Sequence, residues 1–389
     1  MLVPKLRFKR EDGTDYPELE QYRLEDTVDF LDEKRKPITS KYRKAGQYPY
    51  YGASGIIDFI DDYIFDEELV LLSEDGANIV DRNYRVAFIA TGKYWVNNHA
   101  HCLRPKQGFA SYFISEALEN IDYTVYNTGS AQPKLNQEVC RNLPLMCPCL
   151  EEQQKIANFL STVDEVIAQS EAEVQNLEQQ KKAAMQKIFS QEVRFKREDG
   201  TDYPEWEDCI LSDYCEEMKS SIDPQKYPNN TFLEYSMPAF DMDKTPNTVI
   251  GSDMNSNRKV VNTPCVLINK LNVRKKRIWK VPNPTDNSVC SAEFIPVKSD
   301  IMSIDFLEHL SLTDCFTTRL LDCSTGTSNS QKRVTPDIIM DMPVSIPCLE
   351  EQQKIAGFLS AYDEAIRYAK QELDKWKELK KGLLQQMFV

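Results

Sequence analysis

Histidine is scarce in this sequence: His99, His101 and His309 are the only three in 389 residues, which leaves little room for histidine-based catalysis. The eleven cysteines include no CxxC pair, and the closest two are Cys147 and Cys149. Neither a disulfide framework nor a zinc site is expected, and a reducing compartment accounts for the cysteines as small buried residues. Nowhere do about eighteen apolar residues follow one another, and the opening MLVPKLRFKR has no apolar run long enough for a signal peptide. A cytoplasmic protein with no membrane contact is expected. A Walker A loop is missing: ATGKYW, around Gly92 and Lys93, lacks the upstream glycine and the hydroxyl residue that would bind magnesium. There is no Asn/Asp-Pro-Pro-aromatic motif for amino-methyl transfer, and no pair of carboxylates with a lysine for nuclease chemistry. The HAHC cluster, with His99, His101 and Cys102, has no fourth ligand placed by spacing. No catalytic residue, no metal and no cofactor is therefore assigned to this chain. The net charge of −14 argues against wholesale coating of a polyanion.

What is present is organised around a stretch that occurs twice. Residues 151–190 begin EEQQKIANFLS and residues 350–389 begin EEQQKIAGFLS. In the first, Ile156, Leu160, Val163, Ile167, Val174 and Leu177 recur at steps of four and three, with Ser170 and Lys181 as interruptions. In the second, Ile355, Leu359, Tyr362, Ile366, Leu373 and Trp376 take the corresponding places, and Lys380 interrupts the seam. This is a heptad pattern on two proline-free helices, each preceded by a proline (Pro148, Pro347) and opened by paired glutamates that suit the positive end of the helix dipole. Forty residues make a rod of roughly 60 Å. A rod with one apolar seam needs a partner, and the two helices are expected to pair with each other.

The duplication extends further. LRFKREDGTDYPE at Leu6 returns as VRFKREDGTDYPE at Val193, an offset of 187, whereas CLEEQQKIA at Cys149 returns at Cys348, an offset of 199. Each unit is a shared leading segment, a divergent body and a shared helix. The divisions expected are 1–149 for the first body, 150–190 for its helix, 191–348 for the second body and 349–389 for its helix. Both bodies read as mixed α/β. ELVLL, RVAFIATG and YWVNNHAHCL are expected strands ahead of a helix at FASYFISEALENI; CVLINKL, RIWKVP and VCSAEFIPVK precede one at IDFLEHLSL. A body of about 155 residues is roughly 40 Å wide and cannot comfortably span a 60 Å rod, so the helices should lie antiparallel about a pseudo-twofold axis. The fold class expected is α+β.

Charge is uneven along the chain. Residues 254–285 contain no acid but hold Arg258, Lys259, Lys270, Arg274, Lys275, Lys276, Arg277 and Lys280. Residues 82–115 again contain no acid, and their basic residues alternate with Tyr84, Tyr94, Trp95, His99 and His101. Basic and aromatic residues on one face suit phosphate contact and base readout. Each body then reaches a polar loop, TGSAQPK at Thr128 and TGTSNSQK at Thr325, where Gly129 and Gly326 permit close backbone approach. The loops read equally well as DNA contacts and as plain helix-leading turns. Candidate DNA-binding residues are Lys93, Tyr94, Asn97, Asn98, His99, His101, Ser130, Gln132 and Lys134 in the first body. In the second they are Lys270, Arg274, Lys275, Lys276, Arg277, Ser328, Asn329, Gln331 and Lys332. The amides of Asn97 and Asn98 are suited to adenine, and equally to a strand end.

Two unlike globules alternating with two matched helices, the repeated LEEQQKIAxFLS starts, YYGASGIIDFIDDYIF at Tyr50, SEDGANI at Ser73 and ATGKYWVNNHAHCL at Ala90 together resemble the specificity subunit of type I restriction-modification systems. The resemblance implies two target recognition domains that each read one half of a split, asymmetric double-stranded DNA sequence, with the coiled-coil helices setting the gap. It also implies partners: two modification subunits that methylate adenine N6 with S-adenosylmethionine, and two restriction subunits that use ATP and magnesium. The second body lacks the YGASG and DGAN signatures of the first, so the resemblance transfers no individual contact residue to it. A stand-alone DNA-modifying enzyme would need a cofactor or metal motif, and a coiled-coil scaffold for proteins alone would not need two basic, divergent bodies.

Overall fold

A computed structural model of the chain describes residues 4–129, 133–326 and 331–388. The two heptad stretches form helices Leu150–Phe189 and Leu349–Met387. The chain gathers into two compact units, one comprising residues up to Glu171 with those from Gln371 on, the other Ala172–Lys370.

In each unit the two helices run antiparallel. Asp164 meets Lys380 and Glu171 meets Lys377 in the first unit, at 2.6 and 2.7 Å. Asp363 meets Lys181 and Glu178 meets Lys370 in the second, at 2.5 and 2.7 Å. The higher the number on one helix, the lower on the other. Two of the three residues that interrupt the heptads pair across the seam: Lys181 and Lys380 are 13% and 12% exposed and each reaches the aspartate of the opposite helix. Polar groups at seam positions specify register at some cost in stability. Of the seam residues, Ile156, Leu160, Val163, Val174, Ile355, Leu359 and Leu373 are buried, and Ile167, Leu177, Tyr362, Ile366 and Trp376 half-buried. Several serve a globular core as well. Ile156 and Leu160 join Met387 and Phe388 in the first unit's core, and Ile355 and Leu359 join Ile188 in the second's. Each core is completed by the end of the other helix, and Leu6 N–H donates to Gln386 O at 3.0 Å, so the first unit holds both ends of the described chain.

The repeated leading segment docks on the repeated helix start. Arg7 binds Glu152 at 2.5 Å and Arg194 binds Glu351 at 2.9 Å, with both glutamates essentially inaccessible. Phe8 meets Phe159 edge to face, as Phe195 meets Phe358, both at 5.6 Å. Lys155 Nζ donates to Lys9 O and Lys354 Nζ to Lys196 O. The two segments recur together because they touch each other: a change on one side would strand a buried carboxylate on the other.

Each unit contains matching sheets. Strand Glu20–Arg23 pairs antiparallel with Pro144–Cys147, and Glu207–Ile210 with Pro343–Ile346. A four-stranded sheet in the first unit runs Val28–Phe30, Ala100–Pro105, Leu69–Ser73, Ala87–Ala90; its counterpart runs Glu216–Glu217, Phe294–Lys298, Cys265–Asn269, Ile278–Val281. Helices Ser111–Glu119 and Ile304–Leu312 cover them. Strand Lys93–Val96 lies in another sheet, parallel to Ala45–Gly52, and Ser288–Cys290 lies parallel to Thr231–Tyr235. The expected single strands YWVNNHAHCL and VCSAEFIPVK are therefore each two. The chain breaks at residues 97–99 and 291–293, where it passes from one sheet to the next.

Candidate nucleic-acid interface

In the first unit four turns are laced together at the sheet ends. Ser73 Oγ donates to Ala53 O at 2.5 Å, and Asn97 N–H to Tyr51 O at 3.1 Å. Glu74 N–H donates to His99 O at 2.9 Å, while Glu74 O accepts from Leu135 N–H at 2.7 Å. Gly76 N–H reaches Pro133 O at 3.0 Å, and Thr128 N–H reaches Lys134 O at 2.9 Å. The YGAS, SEDGA and NNH segments, together with Thr128, Pro133 and Lys134, lie far apart in sequence and through these bonds form one surface. Beneath it sits a buried charged group. His101 Nδ1 lies 2.6 Å from Asp32 and Nε2 lies 2.9 Å from Leu135 O, so both ring nitrogens face acceptors and both donate. Burial alone would push this imidazole down, but the hydrogen bond to Asp32 prevails and holds it up at about 10. Burial works against the charged form of Asp32 too, and His101, the Cys102 N–H and Arg35 outweigh it and hold the carboxyl low.

The second unit repeats the lacing. Ser291 N–H donates to Tyr235 O at 3.0 Å and Lys270 N–H to Glu293 O at 2.9 Å. Val334 N–H donates to Lys270 O at 3.0 Å, Asn272 N–H to Lys332 O at 2.8 Å, and Thr325 N–H to Arg333 O at 2.9 Å. The sequences on this common backbone differ in character: Glu74 is answered by Lys270, His99 by Glu293, and Asp75 by Leu271.

Among the candidate contact residues, Lys93, Asn98, His99 and Lys134 are exposed in the first unit. His99 leans on Asp75 at 2.9 Å, Lys134 reaches Glu74 at 3.3 Å, and the Lys93 ammonium lies over the Tyr63 ring. Three others are interior and cannot face DNA. Tyr94 is fully buried against Phe65 and Tyr51, and His101 is committed to Asp32 and Leu135. Asn97 is 4% exposed, and its Oδ1 accepts from His99 N–H to hold the turn. In the second unit Arg274, Lys275 and Gln331 are exposed, and Lys270 and Lys332 take part in the lacing. Arg277 is 7% exposed and grips Asp241 through two bonds, and Lys276 is held by Asp314 at 2.6 Å. Both cations are thus already paired with carboxylates, Lys276 at the surface and Arg277 in the interior. Ser130, Gln132, Ser328 and Asn329 lie outside the described residues.

The acid-free windows are also less basic in space than in sequence. Arg258, Lys259 and Lys280 meet Glu234, Glu217 and Asp305, and Arg82, Arg85 and Arg104 meet Glu119, Glu116 and Glu67. Every one of these carboxylates comes from outside the window it neutralises. Reading along the chain misses such partners, and it also misses the turn 291–293, whose counterpart at 97–99 shares no sequence with it.

The family profile of the type I restriction modification DNA specificity domain matches residues 17–179 and 205–377. The MjaVIII type I restriction enzyme specificity subunit of Methanocaldococcus jannaschii is 23% identical over 97% of this chain and 94% of its own length. The EcoDI specificity subunit of Escherichia coli is 22% identical over 80% and 74%. A type I specificity-subunit relative from Haemophilus influenzae is 32% identical over 146 residues, which span 38% of this chain and 37% of that one. The crystal structure of the type I S subunit from M. genitalium shares the fold, with a TM-score of 0.65 over 100% of this chain and 99% of that one at 13% identity. With both halves matched by the family profile, the chain belongs to the type I restriction-modification DNA specificity subunit family.

Proposed function

We propose that this chain reads a bipartite, asymmetric double-stranded DNA target, each unit recognising one half-site through its laced turns. The observation that supports this reading is the common backbone of hydrogen bonds carrying unlike side chains: one scaffold solution, two chemistries presented. Lys93 and Lys134, with Arg274, Lys275 and Lys332, supply phosphate contacts that fix the protein on the duplex, and the residues at the turn tips meet base edges. The chain is a recognition subunit without catalysis of its own. It works in the cytoplasm with two modification subunits, which carry S-adenosylmethionine and methylate adenine N6, and two restriction subunits, which carry ATP and magnesium. The paired helices set the gap between half-sites.

Exchanging residues 203–347 for the corresponding body of another specificity subunit tests this. Methylated adenines are mapped by sequencing in cells that also express the modification subunit. One half of the methylated motif is expected to change, with the other half and the gap retained. Alteration of both halves would show that the units are not independent readers.

A further inference from the structure

The two turns that pass between sheets share the same local geometry. In the first unit, Asn97 Oδ1 accepts from His99 N–H at 2.8 Å; in the second, Ser291 Oγ accepts from Glu293 N–H at 3.1 Å. Asn97 and Ser291 are therefore the side chains that close the turn. The third residue of each is also engaged: His99 by Asp75 at 2.9 Å, and Glu293 by Arg333 at 2.9 Å. Only the middle residue remains. Asn98 and Ala292 are both exposed, and neither side chain has a polar partner among the described residues. With the first and third places engaged within the protein, the second is the uncommitted side chain of the turn.

We propose that the middle residue of this turn is a specificity-determining position in both units, and that Ala292 is the base contact of the second. The proposal rests on the DNA-reading function above. A methyl side chain at a turn tip offers no hydrogen bond, and the base edge it complements is the C5-methyl of thymine in the major groove. Asn98, on the equivalent backbone, offers the donor and acceptor pair that matches adenine N6 and N7. The same turn thus selects for thymine in one half-site and adenine in the other.

The test uses the full chain in complex with its modification subunits and compares wild type, Ala292→Asn and Asn98→Ala by sequencing the methylated sites each leaves. Both substitutions are at exposed positions and leave the turn-closing residues in place. Ala292→Asn is expected to shift one position of the second half-site from thymine towards adenine, changing relative methylation at that position by about 5- to 150-fold. Asn98→Ala is expected to relax one adenine in the first half-site, again leaving the other half and the gap alone. An Ala292→Asn complex with the wild-type motif overturns the proposal, whether its activity is full or uniformly lowered on all targets. A wild-type complex whose motif is not bipartite would instead count against the proposed function.

Discussion

Replacing Lys380 by methionine removes a charge that the helix seam holds at 12% exposure. Its ammonium lies 2.6 Å from Asp164 Oδ1 and 3.8 Å from Glu116 Oε1. Glu116 is 2% exposed, and its Oε2 has no hydrogen-bond partner among the described residues. Stranding a buried charge costs about 3–5 kcal/mol. Here the loss is partial, because Arg85 still binds Glu116 at 2.5 Å and Tyr112 still donates to Asp164. About 2 kcal/mol is therefore expected. Lys181 occupies the same place in the other helix, yet its partner Asp363 is 52% exposed, so water replaces the lost contact and Lys181→Met should cost at most about 1 kcal/mol. Amide hydrogen exchange read peptide by peptide measures this locally. Exchange in peptides covering 371–388 should rise about 30-fold in Lys380→Met, and the corresponding peptides of 172–189 about fivefold or less in Lys181→Met. Equal effects, or a larger one at Lys181, would refute the burial argument.

The two interior histidines should act in opposite directions with pH. Burial, and then the charge of Lys181, push His309 down to about 4, so between there and its unfolded value near 6.5 the unfolded chain binds more protons. Stability is thus present above 6.5 and lost as pH falls towards 4, by on the order of 3 kcal/mol, and His309→Gln should flatten the acid limb of a urea-denaturation series. His101, held up at about 10, contributes stability that is full below 6.5 and lost as pH rises through 10; His101→Gln should remove that alkaline dependence. The helices are expected to act as the ruler. Four residues inserted after Gln175 lengthen one helix by about 6 Å, and a matched insertion after Asp374 is needed to preserve both sets of seam pairs, 164–380 with 171–377 and 178–370 with 181–363. The gap in the methylated motif should widen by at most about two base pairs at 3.4 Å each, with the half-site bases unchanged. An unchanged gap at full activity would show that the partner subunits set the distance.

The heptads, the repeated leading segments and the divergent bodies between them are local or translational patterns, and they are legible in the sequence because periodicity and self-similarity need no knowledge of distant contacts. The antiparallel sense followed from rod length against body width, which is also a chain-level argument. Tertiary structure decided what the charges do. Lys181 and Lys380, which look like flaws in a seam, become its register marks only when Asp363 and Asp164 arrive from the opposite helix. Arg277 and Lys276 look like part of a basic run, but Asp241 and Asp314, each more than thirty residues away, claim them. Tyr94 and His101 sit in an aromatic, basic stretch whose alternation does not reveal which face is inward, and the strand break at residues 97–99 turned both into the interior. The shared turn at 97–99 and 291–293 has no sequence in common at all. It exists as a pattern of backbone hydrogen bonds, and since every residue but proline carries the same N–H and C=O, backbone geometry can be conserved where side chains are free to diverge.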